Sequence, residues 1–189
     1  AYDEDLRIGV LRHVLVRTSE ATGQVMVVLV TATPIFPGSK NFAAALRQRC
    51  PEITTIVQNI NPQKTNIILG ERDKILYGKG YIEDELLGLR FRLSPASFYQ
   101  VNAKMTAKLY ETALSFAALG SSDTVLDAYC GVGTIGMAAS KYAGQVVGVE
   151  LNKAAVRDAI ANAKRNGIEN IRFFAGDASE FLEQIAASG

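Results

Sequence analysis

The sequence is poor in cysteine, with only Cys50 and Cys130 among 189 residues. Two cysteines provide neither a disulfide framework nor the four-ligand set of a structural zinc site. Scarce cysteine is typical of proteins in a reducing compartment, so we expect a cytoplasmic location. The chain also has no tryptophan and a single histidine, His13, which leaves few candidates for proton transfer by imidazole near neutral pH.

An excess of charge of one sign is absent as well, because 20 basic side chains face 19 acidic ones. A net charge of +1 excludes a strong overall positive field, so any surface for a nucleic acid must be a local patch. Long apolar runs are missing, and the opening "AYDEDLR" lacks the layout of a signal peptide. We therefore expect no membrane partner. The start at Ala1 and the end in "AASG" suggest a piece of a longer protein.

Residues 1–93 have mostly the pattern of β-strands, which predicts a smaller α+β domain with mainly antiparallel strands. One helix is predicted in "SKNFAAALRQRC", with Ser39 or Asn41 as its cap. The predicted strands lie in "LRIGVLRHVLVRTS", "QVMVVLVTAT", "TTIVQNIN", "TNIILG", "KILYGKGYIEDEL" and "LRFRLS".

Residues 94–189 follow a different pattern, in which strands and helices alternate. A helix capped by Asn102 comes first, then "TVLDAY", a helix over 134–142, "QVVGVE", a helix over 153–166, "NIRFFAG" and a helix over 178–187. This order predicts a parallel sheet with right-handed crossovers, and such sheets bind ligands beyond the carboxyl ends of their strands.

A glycine-rich turn follows the first of these strands, with Gly131, Gly133 and Gly136 spaced G-x-G-x-x-G. Glycine lets the backbone approach a ligand closely, and the amides of the following helix point at that ligand. The same spacing serves NAD, FAD and S-adenosylmethionine, so the turn alone leaves the cofactor open.

Three acidic residues distinguish these cofactors, since Asp127, Glu150 and Asp177 each lie at or near the end of a successive strand. Carboxylates repel the pyrophosphate of a dinucleotide but attract the ammonium and sulfonium of S-adenosylmethionine. Glu150 has two oxygens to accept both ribose hydroxyls, and Asp177 is suited to the adenine amino group. The alternative is that the three acids merely cap helices.

Several longer motifs make the chain resemble the bacterial RNA uracil-5-methyltransferases, which act on ribosomal RNA or on the transfer-RNA T-loop. The matching stretches are "SPASFYQVN", "LDAYCGVGTIG", "VVGVELN", "NAKRNGIENIRF" and "GDA", with "RHVLVR" and "QNINPQKTNIILG" in the first half. The resemblance implies a partial class I methyltransferase domain, Rossmann-like, after the smaller α+β domain. It also implies S-adenosyl-L-methionine as cofactor and RNA as partner.

The resemblance assigns roles to individual residues. It implies cofactor contacts from Gln100, Tyr129, Gly131, Glu150 and Asp177, and from Thr134 beside them. It implies that Phe98 meets the target nucleotide, where an aromatic ring can stack on an extruded base. The alternatives are that Phe98 packs in the core and that Gln100 only hydrogen-bonds to backbone.

Methylation of C5 of uracil needs a thiolate that adds to C6 and a base that removes the C5 proton. Cys130 adjoins the glycine turn, but a side chain packed beneath that loop is poorly placed to attack, and Cys50 is expected to be incidental. The resemblance implies that both catalytic groups follow a D-P-P-type segment beyond Gly189, so we assign no catalytic residue within the chain. It also allows an iron–sulfur cluster and an N-terminal β-barrel module in the full-length protein, but no cluster in this chain.

Two surfaces are predicted from the same patterns. The first methyltransferase strand, Thr124 to Tyr129, is expected to be an unpaired apolar edge through which the chain self-associates. Basic residues that could contact RNA phosphates are equally explained as a solvated face; they are Arg7, Arg12, Arg17, Lys40, Arg47, Arg49 and Lys64, beside His13. Rival functions are methylation of another substrate, nicotinamide-dependent oxidoreduction and RNA binding without catalysis.

Overall fold

The structure is a computed structural model that describes residues 1–3, 5, 6, 8–64 and 66–188. It divides into two compact units, Ala1–Asp84 and Glu85–Gly189. The first unit contains β1 (Leu11–Thr18), β2 (Val25–Thr31), α1 (Ser39–Arg49), β3 (Ile53–Ile60) and β4 (Arg72–Tyr77). Its four strands form one sheet in the order β1-β2-β3-β4.

The sheet of the first unit is mixed rather than wholly antiparallel. Strands β1 and β2 pair antiparallel, as do β3 and β4, but β2 and β3 run parallel. The parallel pair arises because α1 carries the chain back between them, as a crossover helix does. Apolar side chains from α1 and the two central strands form the core of this unit; they are Val27, Leu29, Ala43, Ile53 and Ile56.

Two local predictions for the first unit are wrong. Residues 66–70 of the predicted strand "TNIILG" are not a strand, since the Asn61 side chain donates hydrogen bonds to the carbonyls of Ile67 (2.7 Å) and Ile68 (2.9 Å). Thr65 of that stretch lies outside the described residues. Helix α1 is preceded by Gly38 in the left-handed conformation and has no side-chain cap, so neither Ser39 nor Asn41 caps it.

A short hairpin follows, formed by β5 (Ile82–Leu86) and β6 (Leu89–Leu93). Its turn has positive φ at Leu87 (52°) and Gly88 (73°). Residues 85–93, which the sequence pattern assigns to the first domain, group with the second unit. The reason is that β6 is hydrogen-bonded to a helix of that unit, as described below.

The second unit contains the alternating pattern that the sequence predicts. It consists of α2 (Ala103–Ala117), β7 (Thr124–Ala128), α3 (Thr134–Ala139), β8 (Gln145–Glu150), α4 (Lys153–Arg165), β9 (Ile171–Ala175) and α5 (Ala178–Ser188). The strands pair in parallel in the order β7-β8-β9. The predicted parallel sheet is therefore confirmed, and β7 is an edge strand among the described residues.

Helix capping in the second unit follows from single asparagines. The Asn102 side chain accepts a hydrogen bond from the Met105 amide at 3.0 Å, which confirms the predicted cap of α2. Asn152 caps α4 in the same way through Ala154 N at 2.9 Å. None of the described helices is long and apolar enough to span a membrane.

Candidate functional site

The carboxyl ends of the three parallel strands lie in register at one edge of the sheet. Ala128 of β7 pairs with Val149 of β8, and Glu150 of β8 pairs with Ala175 of β9. The glycine turn follows β7, Asn152 comes shortly after β8, and Gly176 follows β9. The segments predicted to hold a ligand therefore start from neighbouring positions.

The glycine turn has two glycines with left-handed backbone, and they differ in the space around them. Gly131 (φ 56°) and Gly133 (φ 83°) both have left-handed φ values, and Tyr129 between sheet and turn has φ 60°. A Cβ on Gly133 would lie 2.8 Å from the side chains of Met137 and Phe173. A Cβ on Gly131 would meet only the Phe98 carbonyl, at 4.0 Å, so the backbone at Gly131 stays open to a ligand.

Glu150 is held against this turn by two backbone amides. Its Oε2 accepts a hydrogen bond from Gly131 N at 3.0 Å, and its Oε1 accepts one from Asn152 N at 2.8 Å. Each carboxylate oxygen has a second lone pair that remains available as an acceptor. The side chain is partly buried, so it is positioned before any ligand arrives.

Asp127 lies beneath the turn and is buried. Its Oδ2 accepts a hydrogen bond from Gly136 N at 2.9 Å. The pKa of Asp127 is raised to about 6, chiefly by burial; the Gly136 hydrogen bond opposes the rise, and the negative charge of Glu150 contributes to it. The structure therefore brings Asp127 and Glu150 together on either side of the glycine turn.

Asp177 begins α5 and caps it, as the helix-capping alternative expects. Its Oδ1 accepts hydrogen bonds from Ser179 N (2.8 Å) and Glu180 N (3.3 Å). The preceding residue connects it to Glu150, because Gly176 N donates to the Glu150 carbonyl at 3.1 Å. The exposed Tyr129 hydroxyl lies 3.5 Å from Ser179 Oγ, which closes the same edge of the site.

The other residues predicted for the site occupy its surroundings. Thr134 begins α3, and its hydroxyl is 2.9 Å from the Tyr110 hydroxyl. The Gln100 side chain is exposed. Phe98 is 71% exposed, so the alternative that it packs in the core is wrong. The Phe98 carbonyl lies 4.0 Å from where a Cβ on Gly131 would be, so the backbone at Phe98 is near the glycine turn.

Cys130 is buried beneath the same turn, with 6% of its surface exposed. The pKa of the Cys130 thiol is raised to about 12, chiefly by burial and in smaller part by the charges of Asp127 and Glu150. A thiol is nucleophilic as its thiolate. Cys130 is therefore a neutral thiol near pH 7; that it is not the nucleophile stays a prediction.

The Cys130 thiol is expected to resist alkylation in the folded chain. At pH 8, a pKa of about 12 leaves roughly one molecule in ten thousand as thiolate. Iodoacetamide should therefore modify the partly exposed Cys50 and leave Cys130 unmodified until the chain is unfolded. Mass spectrometry of the two cysteine peptides, before and after denaturation, measures this. Rapid labelling of Cys130 in the folded chain would show that the site is open.

A row of polar residues on α4 and at its C-cap was not predicted from the sequence. Asp158, Asn162 and Asn166 are spaced four residues apart, so they lie on one face of the helix. Asp158 and Asn162 are buried. Three polar side chains at this spacing on an otherwise alanine-rich helical face were the signal available in the sequence.

Several of the basic residues considered for RNA contact interact within the first unit. Arg12 donates to the carbonyls of Asn61 (3.0 Å) and Gln63 (2.8 Å). The Arg47 guanidinium lies 3.5 Å from the centre of the Tyr77 ring. Burial lowers the pKa of Arg17, and Arg7 lies outside the described residues. Contact of this set with RNA stays a prediction.

Comparison with protein families gives a match over most of the chain. Residues 22–188 match the model of the tRNA (uracil-5-)-methyltransferase family. The chain is 43% identical over 188 residues to an uncharacterized RNA methyltransferase of Halalkalibacterium halodurans, and 45% identical over 188 residues to one of Listeria innocua. In both cases 100% of this chain aligns with 41% of the relative.

Solved structures have the same fold. The tRNA (uracil-54, C5)-methyltransferase of Pyrococcus abyssi, solved with S-adenosyl-L-homocysteine, superposes with a TM-score of 0.73 at 26% identity. The match covers 92% of this chain and 41% of that protein. Methanocaldococcus jannaschii Trm5 in complex with adenosine matches in fold alone, with a TM-score of 0.55, 16% identity, and coverage of 90% and 50%. The expected partial Rossmann-like methyltransferase fold is confirmed.

Proposed function

Because the chain belongs to the tRNA (uracil-5-)-methyltransferase family, we propose that it binds S-adenosyl-L-methionine for methylation of C5 of a uridine in structured RNA. The observation that carries this proposal is the Glu150 carboxylate, held 3.0 Å from Gly131 N at the carboxyl end of the central strand. The chain spans 41% of the length of the relatives compared above, so the activity proposed is that of the longer protein.

The charge of the site supports this cofactor. Asp127, Glu150 and Asp177 all belong to the strand ends beside the open glycine turn. S-adenosylmethionine brings a sulfonium and an ammonium, and it supplies an electrophilic methyl group. A carboxylate favours both positive charges by Coulomb attraction, and its oxygens also accept hydrogen bonds from hydroxyls.

We assign the binding roles from the hydrogen-bonding groups and exposed surfaces that each residue offers to a ligand. Glu150 would accept the two ribose hydroxyls with lone pairs that its two amide contacts leave open. Asp177 would meet the adenine amino group, and Tyr129, Gly131, Thr134 and Gln100 would complete the pocket. Phe98, with its exposed ring, would stack on the target base.

A nicotinamide dinucleotide fits the same turn less well. Its pyrophosphate would add negative charge at a turn that already has Glu150 bonded to Gly131 N and Asp127 bonded to Gly136 N. Those two amides are the donors that a phosphate would need. Two like charges about 4 Å apart repel by about 4 kcal/mol at an effective dielectric of about 20.

The nucleophile and the base would come from outside the chain. Cys130 is buried with a raised thiol pKa, and Cys50 follows α1 in the first unit. The proposal therefore places both catalytic groups in the part of the longer family members that this chain does not span. The iron–sulfur cluster allowed for those proteins gains no support from the matches.

Calorimetric titration and a methyl-transfer assay test this proposal together. The chain should bind S-adenosylhomocysteine and should not bind NADH. With methyl-labelled S-adenosylmethionine and a uridine-containing stem-loop RNA, the chain alone should transfer no label. Binding of NADH in place of S-adenosylhomocysteine would contradict the cofactor assignment. Turnover by the chain alone would contradict the placement of the nucleophile.

We also propose that the chain self-associates through β7, with a second copy as the partner. The described strands pair β7 on one side only, so its other edge has amides and carbonyls available to another strand. An apolar groove of about 340 Å³ continues this edge toward α2. Its lining includes Ala113, Leu114, Ala117, Val125 and Ile135.

Light scattering across protein concentrations measures this association. We expect the molar mass of the chain to rise with concentration, and we expect Val125→Lys to shift it toward the monomer, because a charge on an edge strand opposes pairing. The matched control is Val14→Lys, on an exposed position of edge strand β1 in the other sheet. A monomer at every concentration would contradict the proposal.

A further inference from the structure

Polar side chains of α4 and of its C-cap residue hydrogen-bond to the backbone of strand β6, as a second neighbouring strand would. Asn166 accepts from Arg90 N at 2.9 Å and donates to Arg90 O at 2.7 Å. Asn162 accepts from Arg92 N at 2.6 Å and donates to Arg92 O at 3.3 Å. These two asparagines satisfy alternate residues of β6 as a paired strand would.

The spacing of the two elements makes this pairing continuous. Four residues of helix rise about 6 Å, and two residues of strand rise about 6.6 Å. Side chains at every fourth position of α4 therefore meet every second residue of β6. The next pair in the series is Asp158 with Ser94, one residue beyond the end of β6.

Asp158 ends the series on hydroxyl groups. Its Oδ2 accepts hydrogen bonds from Ser94 Oγ and from Ser97 Oγ, the latter at 2.8 Å. Its Oδ1 lies 3.5 Å from Arg92 Nε. Asp158 is buried, with 6% of the residue surface exposed. Burying a charge in this way costs free energy that its partners only partly offset, so stability alone is a weak reason for it.

Ser94 and Ser97, which are hydrogen-bonded to Asp158, lie at the start of the segment 94–102. This segment contains two residues of the proposed site. Ser97 immediately precedes Phe98, and Gln100 follows two residues later. The Phe98 carbonyl lies next to the open position at Gly131. The same helix also contacts the glycine turn, because the fully buried Asn162 donates to Val132 O at 3.5 Å.

We infer that Asp158, with Asn162, is a positioning residue that fixes the segment 94–102 against the glycine turn, so that cofactor affinity depends on a side chain that does not touch the cofactor. This inference rests on the proposed function. Asn162 sets the distance between β6 and the turn, and Asp158 fixes the segment through Ser94 and Ser97. Loss of Asp158 should free the segment while leaving the sheet intact.

The test compares two ends of the same row of side chains in this chain. Asp158→Ala removes the contact to the segment, and Asn166→Ala removes three hydrogen bonds at the far end, two with the Arg90 backbone and one to the Asn162 carbonyl. Both variants should lower the melting temperature. Only Asp158→Ala should weaken binding of S-adenosylhomocysteine, by about tenfold, because the freed segment must then be ordered when the ligand binds. The Kd of Asn166→Ala should stay within about twofold of the parent chain.

Hydrogen exchange gives a second readout that needs no ligand. Amides of residues 96–101 should exchange at least about tenfold faster in Asp158→Ala than in the parent chain, while those of β8 stay protected. The double variant Ser94→Ala/Ser97→Ala should have the same effect, and adding Asp158→Ala to it should change little further. Equal protection of residues 96–101 in the parent chain and Asp158→Ala would overturn the inference.

The two readouts separate this inference from the proposed function. If the parent chain binds no S-adenosylhomocysteine, the proposed function fails, and the exchange of residues 96–101 still decides whether Asp158 positions the segment. If the parent chain binds and Asp158→Ala and Asn166→Ala weaken binding equally, the positioning role is overturned while the cofactor assignment stands.

Discussion

Replacing Glu150 with alanine is expected to raise the Kd for S-adenosylhomocysteine by about a hundredfold or more. The variant removes the acceptor proposed for two ribose hydroxyls, and a hydrogen bond to a charged group contributes about 1.5–3 kcal/mol. It also removes the carboxylate that holds Gly131 N and Asn152 N in place. Isothermal titration at pH 7.5 measures the loss directly.

Two control variants give this result its meaning. Glu150→Gln keeps one acceptor oxygen and the shape of the side chain, so its affinity should lie between those of the parent chain and Glu150→Ala. Glu169→Ala removes an exposed acid before β9 and should bind as the parent chain does. A Glu150→Ala chain that is folded by circular dichroism and binds with unchanged Kd would exclude Glu150 from the cofactor site.

Replacing Asp127 with asparagine is expected to stabilise the fold and to weaken cofactor binding. The pKa of Asp127 is raised to about 6 in the folded chain, from the ordinary value of 3.8 for an aspartate. Ionisation of Asp127 therefore destabilises the fold. The stability that the protonated acid contributes is fully present below about pH 4, and it is lost as the pH rises through about 6. Because the pKa of Asp127 is higher by about two in the folded chain, its ionisation lowers the free energy of unfolding by about 3 kcal/mol at pH 7.5.

Asparagine removes this cost because it is neutral at every pH and its Oδ1 can still accept from Gly136 N. Unfolding by urea at a series of pH values measures the change. The parent chain should lose stability relative to Asp127→Asn between pH 4 and pH 7, with a gain for the variant of up to about 3 kcal/mol above pH 7. Asp123→Asn, at an exposed acid just before β7, is the control. Parallel pH profiles for parent and Asp127→Asn would contradict the buried, ionised state.

The second half of the chain was the more predictable because its local signals agree with one another. Glycines at positive φ, an asparagine cap at Asn102 and acids at strand ends each follow from short-range stereochemistry. The parallel sheet followed from the order of the elements. The position of Glu150 beside the glycine turn was predictable because it depends only on the place of this residue at the end of β8.

The features that the sequence did not specify involve interactions between distant positions. Pairing of β2 with β3 in parallel depends on which side α1 returns the chain, and strand propensity does not encode that direction. The stretch "TNIILG" has strand propensity, but the Asn61 side chain takes two of its carbonyls. The contacts of α4 with Arg90, Arg92 and Ser94 join residues more than sixty positions apart, so no local pattern points to the partner.

A crystal structure of the chain with S-adenosylhomocysteine tests the central claim most directly. We expect the ribose hydroxyls within hydrogen-bonding distance of the Glu150 carboxylate, with the ligand against the open backbone at Gly131. A ligand bound elsewhere in the second unit, with Glu150 still bonded only to Gly131 N and Asn152 N, would contradict it.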